Sequence, residues 1–254
     1  MSPNDYFYKP MRFSILFFFW IICNSSFAQA PGTDSLTYVR AVENAKAVYW
    51  KFINPSTGLF NGNEYVDYSF GIKDGQPFFQ TPDFRNGYVV YNGVKYEDVP
   101  IVYDELKDLV VINDPFKVYK LSLIDERVTS FNIEKYHFVR LVNDQANNEA
   151  VKTGYYQVLY GGYSTVYERQ EKKLKEETSL TEGLKRFIVT ETSYYIRKDQ
   201  KVHSVGSKKG MLDLFKDKKS DIQQYMRKNK LNYKKDKEYT LAAVAAYYDQ
   251  LKGK

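Results

Sequence analysis

The chain has a single cysteine, Cys23, among its 254 residues, and only two histidines, His137 and His203. A disulfide within the chain is therefore excluded, because one cysteine has no partner. Each histidine lies in a strand-like run without a second side chain at metal-ligand spacing, whereas a zinc site needs three or four ligands. The sequence also has no Gly-x-Ser-x-Gly nucleophile elbow, no glycine-rich phosphate loop and no calcium-binding loop. We therefore expect no metal, no cofactor and no catalytic residue.

The longest apolar run of the chain lies near its start, within residues 11–30, which read MRFSILFFFWIICNSSFAQA. Arg12 precedes a run of nine apolar residues, and small residues follow it. This order of positive charge, apolar run and small residues is typical of a secretory signal peptide. We predict that translation starts at Met11 and that cleavage follows Ala30 or, alternatively, Ala28. The mature protein is then extracytoplasmic, in the periplasm or on the cell exterior.

Two other interpretations of this segment are disfavoured by its length and its flanks. A membrane-spanning helix needs about 20 predominantly apolar residues, roughly twice the length of this run. A lipoprotein needs small residues directly before its lipidated cysteine, whereas the bulky Trp20, Ile21 and Ile22 precede Cys23. Removal of the signal peptide leaves a chain without cysteine, whose stability outside the cytoplasm depends on its core.

Positive charge is concentrated at the end of the chain. The whole sequence has a net charge of +6, and residues 207–254 alone contain 13 basic and six acidic residues, a net charge of +7. Such a segment is either a solvated, lysine-rich helical face or a surface for peripheral contact with an anionic membrane. Nucleic acid is not an expected partner, because the signal peptide directs the chain out of the cytoplasm.

Residues 59–205 alternate short aromatic and β-branched runs with turn residues, a pattern typical of antiparallel sheet. Asn92 and Gly93 separate two such runs, and an Asn-Gly pair in this position is a strong hairpin signal. Residues 168–182 are almost wholly polar, and they predict an exposed hairpin extension or a mobile loop.

Both flanks of this β region are predicted to be helical. Residues 31–53 place apolar side chains three and four positions apart, and proline and glycine follow them. The basic end, residues 208–252, has a capping-box pattern at Ser220 and Gln223. Asp236 is a candidate cap for a last helix with a clear apolar stripe.

These patterns define a signal peptide over residues 1–30 and a single mature domain over residues 31–254. The predicted fold class is α+β, mainly β. We expect an antiparallel sheet or open barrel with an N-terminal helix and a C-terminal helical cluster.

Aromatic side chains are abundant, with 24 tyrosines and 17 phenylalanines. A group of them lies before and within the first predicted hairpin. On one shared face they would stack on sugar rings or line an apolar cleft, whereas inward they would form core, which is the more common fate of large apolar side chains. The candidate ligand-facing aromatics are Tyr65, Tyr68, Phe70, Tyr88 and Tyr91.

Residues 58–112 contain GLFNGNEYVDY, then GQPFF, then GYVVYNGVKYEDVPIVYDELKDLVVI, and the chain ends in SDIQQYMRKNKLNYKKDKEYTLAAVAAYYDQLK. With the signal peptide, these segments resemble uncharacterised secreted proteins of Gram-negative cell envelopes. The resemblance implies location and architecture but no activity. The order of elements is also similar to that of periplasmic lipoprotein carriers, which have a signal peptide, a helix and a curved antiparallel sheet.

The sequence thus predicts a secreted cell-envelope protein that is not an enzyme and acts as a binding or structural module. Its partner is an unidentified protein, glycan or lipid of the envelope. One alternative is a periplasmic carrier of an apolar ligand, which requires a cavity lined by the aromatics named above. Another is an envelope glycan hydrolase, which requires two carboxylates about 5–9.5 Å apart in a cleft.

Overall fold

The computed structural model describes residues 40–42, 44–45, 58–114, 116, 118–144 and 150–253. The chain separates into two units, Met1–Asn44 and Ala45–Lys254, and every strand and helix named below belongs to the second. The signal peptide, with its cleavage sites at Ala28 and Ala30, lies outside the described residues. The helix predicted over residues 31–53 falls largely outside them and stays a prediction. Within the described ranges, no helix has the length and apolar character needed to cross a membrane.

The described part of the second unit is mainly β, as predicted, with one open antiparallel sheet and a group of helices at its end. The strands run in the order β1-β5-β4-β3-β2-β6-β7-β8-β9-β10-β11. They are β1 (Asn63–Glu64), β2 (Arg85–Tyr91), β3 (Val94–Asp104), β4 (Leu109–Asn113), β5 (Lys120–Ser122), β6 (Val128–Ile133), β7 (Tyr136–Leu141), β8 (Gly154–Tyr160), β9 (Thr165–Ser179), β10 (Gly183–Lys198) and β11 (Lys201–Ser204). The helices are α1 (Lys208–Leu214), α2 (Lys219–Lys228) and α3 (Lys237–Lys252).

The predicted Asn-Gly hairpin joins β2 to β3. Asn92 and Gly93 both have positive φ, 51° and 75°, which is the backbone of a type I′ turn. The register pairs Tyr91 with Val94 directly across this turn. Further along, β3 continues without a break from Val94 to Asp104. Asp98 adopts φ 54° within it, and the pairing with β2 shifts there by a bulge.

The polar residues 168–182 form most of β9 and the turn into β10, the two strands of a long hairpin, so the expectation of a hairpin extension is confirmed. Its outer part is exposed, and opposite charges face each other across the two strands. Lys173 pairs with Glu191 at 2.5 Å and Arg186 with Glu176 at 2.7 Å. The strands of this hairpin are thus stabilised by cross-strand ion pairs, and they lack the apolar alternation by which a strand is usually recognised in a sequence.

Among the described residues, buried apolar side chains form two large cores and two smaller clusters along the sheet. The first core fills the side of β2 to β8 and is rich in rings; it includes Val89, Tyr91, Ile101, Tyr103, Phe131, Ile133, Phe138 and Tyr155. The second core lies between the later strands and the three helices; it includes Val166, Ile196, Met211, Phe215, Ile222, Val244, Ala245 and Tyr248. The predicted apolar stripe of α3 is therefore confirmed as its buried face.

Of the two helix N-caps that the sequence predicts, the one of α3 is confirmed and the one of α2 is wrong. The Asp236 side chain accepts a hydrogen bond from the Tyr239 N–H at 2.9 Å and caps α3, as predicted. The capping box predicted at Ser220 is wrong. A short 3₁₀ turn, Lys216–Lys218, leads directly into α2, so Ser220 is already the second residue of that helix.

The sheet curls so that the β3–β4 turn meets β9, although four strands lie between β3 and β9 in the sheet order. Arg169 Nη2 of β9 lies 3.1 Å from Asp108 Oδ2, and Arg169 Nη1 donates to the Lys152 and Thr153 carbonyls at 3.2 and 3.3 Å. The Lys172 N–H donates to the Glu105 carbonyl at 3.4 Å. The base of the long hairpin is thereby attached to the far part of the sheet.

Gly154 leaves space for this ion pair, and its replacement tests the closure. A Cβ at Gly154 would overlap Asp108 Oδ2 and the terminal nitrogens of Arg169. Because disrupting a buried ion pair costs about 3 kcal/mol or more, Gly154→Ala should lower the free energy of unfolding by about that amount. Gly154 has a positive φ of 151°, so the control is Gly183→Ala, which also has a positive φ, 68°, but whose Cβ would meet nothing within 4 Å. Urea unfolding measures both variants, and equal stabilities would contradict the proposed role of the ion pair.

Candidate functional site

The structure brings three of the five candidate ligand-facing aromatics together, Tyr65, Tyr68 and Phe70, and gives Tyr88 and Tyr91 other contacts. Tyr91 is fully buried in the first core, and its hydroxyl donates to Asn61 Oδ1 at 2.6 Å. The hydroxyls of Tyr65 and Tyr68 both donate to Asp104 Oδ2 at 2.8 Å. The Asp104 carboxylate therefore fixes the segment before β2 to the end of β3.

The remaining two candidates, Phe70 and Tyr88, are half-buried. Phe70 packs edge-on against Tyr68, with ring centroids 5.5 Å apart. The Tyr88 hydroxyl lies 2.9 Å from Nδ1 of His137, whose pKa is lowered by burial. Among the described residues, none of the five aromatics lines either of the two cavities described next. Their ligand-facing role stays a prediction, and the contacts that the structure gives them are those of packing.

A small enclosed cavity separates the first core from β9. Its volume is about 10 Å³, the size of one water molecule. It is lined by Tyr103, Glu105, Phe138, Tyr155, Gln157, Glu168 and Gln170. Two buried carboxylates thus share a space that admits a water molecule but no saccharide.

Burial raises the pKa of the carboxylates around this cavity. The pKa of Glu105 rises to about 7, and the Lys172 ammonium, 3.2 Å away, opposes the rise. Burial also raises the pKa of Glu168, which accepts a hydrogen bond from Gln170 Nε2 at 2.6 Å. Asp125, beside the same core, accepts from the Tyr155 hydroxyl at 3.0 Å, and burial raises its pKa to about 6. Glu105 and Glu168 are buried and face a space too small for a saccharide, whereas Asp125 is half-buried and lies outside that cavity.

A much larger groove, of about 920 Å³, opens on the helical cluster. Its lining contains six cations on three successive segments: the start of α1, the end of α2, and the connection into α3. All six are exposed. They are Lys208, Lys209, Arg227, Lys230, Lys234 and Lys237. We call this feature the basic groove.

The cations of the basic groove form no close ion pairs with the described residues, although Lys209 adds to the effect of Lys219 in lowering the pKa of Asp213. None of the described residues that line the groove is acidic. Cations nearby behave differently: Lys252 pairs with Asp217 at 2.9 Å, and Lys219 pairs with Asp213 at 2.9 Å. The groove is therefore a concave surface of one sign, which concentrates positive potential.

One groove cation has an unusual backbone. α2 ends in a Schellman motif, in which the Leu231 N–H donates to the Met226 carbonyl at 2.9 Å and the Lys230 N–H to the Arg227 carbonyl at 3.2 Å. Lys230 occupies the left-handed position of this motif, with φ 54°, where glycine is the usual residue. A lysine therefore stands at the rim of the groove against its backbone preference.

Sequence patterns locate the basic segment but not the groove. The excess of lysine after residue 207 predicts a charged surface, and which lysines converge depends on how the three helices pack. Over the described residues, no group of three histidine, cysteine or carboxylate side chains gathers as metal ligands. Comparison with protein-family models, with curated proteins and with solved structures gives no match to this chain.

The raised pKa of Asp125 predicts how stability depends on pH. Between about pH 4 and pH 6 the folded chain holds a proton that the unfolded chain releases, so this group's contribution to stability falls as pH rises. Asp125→Asn removes that dependence, and the Tyr155 hydroxyl still finds an amide oxygen. We expect the variant to gain about 2 kcal/mol relative to the original chain between about pH 4 and pH 7, because the pKa is raised by about two units. Urea unfolding at both pH values measures it, with Glu64→Gln, at an exposed position of β1 that does not act on Asp125, as control, and a pH-independent difference would contradict the raised pKa.

Proposed function

We propose that this is a secreted cell-envelope protein that acts as a non-enzymatic binding module, with the basic groove as its binding surface for an anionic partner. The observation that supports the proposal is the convergence of six exposed cations, without ion-pair partners among the described residues, on one concave surface. Like charges held together raise the free energy of the unbound groove, and an anionic partner lowers it.

The two alternative functions draw less support from the geometry. An apolar-ligand carrier needs open space against the aromatic face, and rings occupy the first core. Phe131 stacks on Phe138 at 4.8 Å, and Tyr103 meets Tyr155 edge-on at 5.8 Å. A glycan hydrolase needs carboxylates in a cleft, and the buried pair Glu105 and Glu168 faces a space of about 10 Å³.

Two variants of equal net charge test the groove. The groove variant carries Arg227→Gln, Lys230→Gln and Lys234→Gln. The control variant carries Lys216→Gln, Lys228→Gln and Lys235→Gln, three exposed positions in the same helical segment that do not line the groove. With poly-L-glutamate as probe at about 0.15 M salt, the groove variant should bind about tenfold or more weakly than the control, because local cations remain effective within a Debye length of about 8 Å. Fluorescence anisotropy measures both affinities.

A salt titration and a second variant complete this test. The slope of log Kd against log salt concentration should fall by about two to three in the groove variant. Each cation that is removed leaves one anionic group of the polymer unneutralised, so about one counterion fewer is released on binding. Lys230→Gly removes one cation and relieves the positive φ, so it should keep or raise stability while weakening binding. Equal binding by the groove and control variants would refute the basic groove as the binding surface.

Export is a separate part of the proposal and has its own measurement. Expressed in a Gram-negative host, the full chain should yield a mature protein that begins at Pro31, or at Gln29 if cleavage follows Ala28. Intact-mass analysis of the periplasmic and medium fractions identifies the new N-terminus. Recovery of a full-length chain only from the cytoplasm would contradict the predicted signal peptide.

A further inference from the structure

The residues that line the basic groove are of three chemical kinds, and their combination narrows the class of ligand. The cations suit carboxylate or phosphate groups. Uncharged polar side chains are interspersed among them; these are Ser207, Gln223 and Asn232. The third kind is apolar and comprises Met226, Leu231 and Tyr233.

The uncharged polar side chains retain hydrogen-bonding capacity. Gln223 is exposed on α2, and its amide makes no hydrogen bond to a described residue. Asn232 Oδ1 accepts from the N–H groups of Lys234 and Lys235 at 3.0 and 3.2 Å, which orients its amide nitrogen as a remaining donor. A sugar hydroxyl both donates and accepts, so amide groups of this kind suit it.

The apolar residues that line the groove are those of the second core that border it, and we call them the floor of the groove. Met226 and Tyr233 are both buried, while the cations around them are exposed. A flat bilayer surface would contact the cations of the rim but would not reach this floor. A chain lying inside the groove contacts both, and the faces of sugar rings present C–H groups to such a floor.

The size of the groove favours a chain over a single small ion. Its volume of about 920 Å³ lies at the upper end of the roughly 300–1,000 Å³ that is typical of organic-ligand sites. The cations also come from three segments and would serve several anionic groups along a ligand.

We propose that the basic groove binds a segment of an acidic polysaccharide. The cations contact its carboxylate or phosphate groups, Gln223 and Asn232 contact its hydroxyls, and Met226 and Tyr233 lie beneath its rings. This inference rests on the proposed function of the groove and adds the class of its ligand.

Two neighbouring glutamines separate saccharide recognition from charge attraction. Gln223 lines the groove and Gln224 does not, although both are exposed on α2. The probes are polygalacturonate, poly-L-glutamate of matched chain length, and vesicles of phosphatidylglycerol with phosphatidylcholine. The original chain should bind polygalacturonate more tightly than poly-L-glutamate. Gln223→Ala should weaken polygalacturonate binding about fivefold, the worth of one hydrogen bond, and leave poly-L-glutamate binding unchanged, whereas Gln224→Ala should change neither.

The outcomes distinguish this inference from the proposed function. Equal affinity for the two polymers, with no effect of Gln223→Ala, would overturn the saccharide inference while the groove remains an anion-binding surface. Tighter binding to the vesicles than to polygalacturonate would overturn it in favour of a membrane surface. Failure of both polymers and the vesicles to bind would overturn the inference and the proposed function together.

Discussion

The ion pair between Arg169 and Asp108 is the interaction on which the rest of the structure depends. The Arg169 guanidinium also donates to two carbonyls before β8 and lies over the Tyr156 ring at 5.0 Å. Burying a charge is tolerable only when its donors and its counter-charge are satisfied, and here both are. The consequence is geometric: a sheet that is open in its hydrogen bonding is closed by side chains between the β3–β4 turn and β9.

The two large cores lie on different parts of this sheet. On one side the first core is filled by rings, with space for about one water molecule at its boundary. On the other side the strands carry the second core, which uses the apolar faces of all three helices. Because those faces are occupied, the opposite faces of the helices are left to the solvent with their lysines. The basic groove is therefore held by helices that packing has already fixed.

Much of this arrangement follows from local sequence, and the exceptions have physical causes. Asn92 and Gly93 predict their hairpin because only residues that tolerate positive φ form a type I′ turn. The bulge at Asp98 hides the continuity of β3, since it breaks the alternation that marks one strand. Ser220 resembles a helix cap, yet the preceding 3₁₀ turn starts the helix earlier. The groove itself is tertiary, because its cations are brought together only when three helices pack on one sheet.

The distribution of acidic residues explains why the groove keeps its charge. Most carboxylates of the helical segment already have structural partners. Asp213 binds Lys219, Asp217 binds Lys252, Asp236 caps α3, and Asp249 accepts from the Ser164 N–H and the Tyr160 hydroxyl. These carboxylates thus stabilise helix ends and the contact with β8, and none of the described residues that line the groove is acidic. A merely solvated lysine face would gain stability from interspersed acids through pairs spaced three or four residues apart. Their absence from the lining of this groove, together with a lysine in a backbone conformation that suits glycine, favours a surface shaped for an anionic partner over one shaped for stability alone.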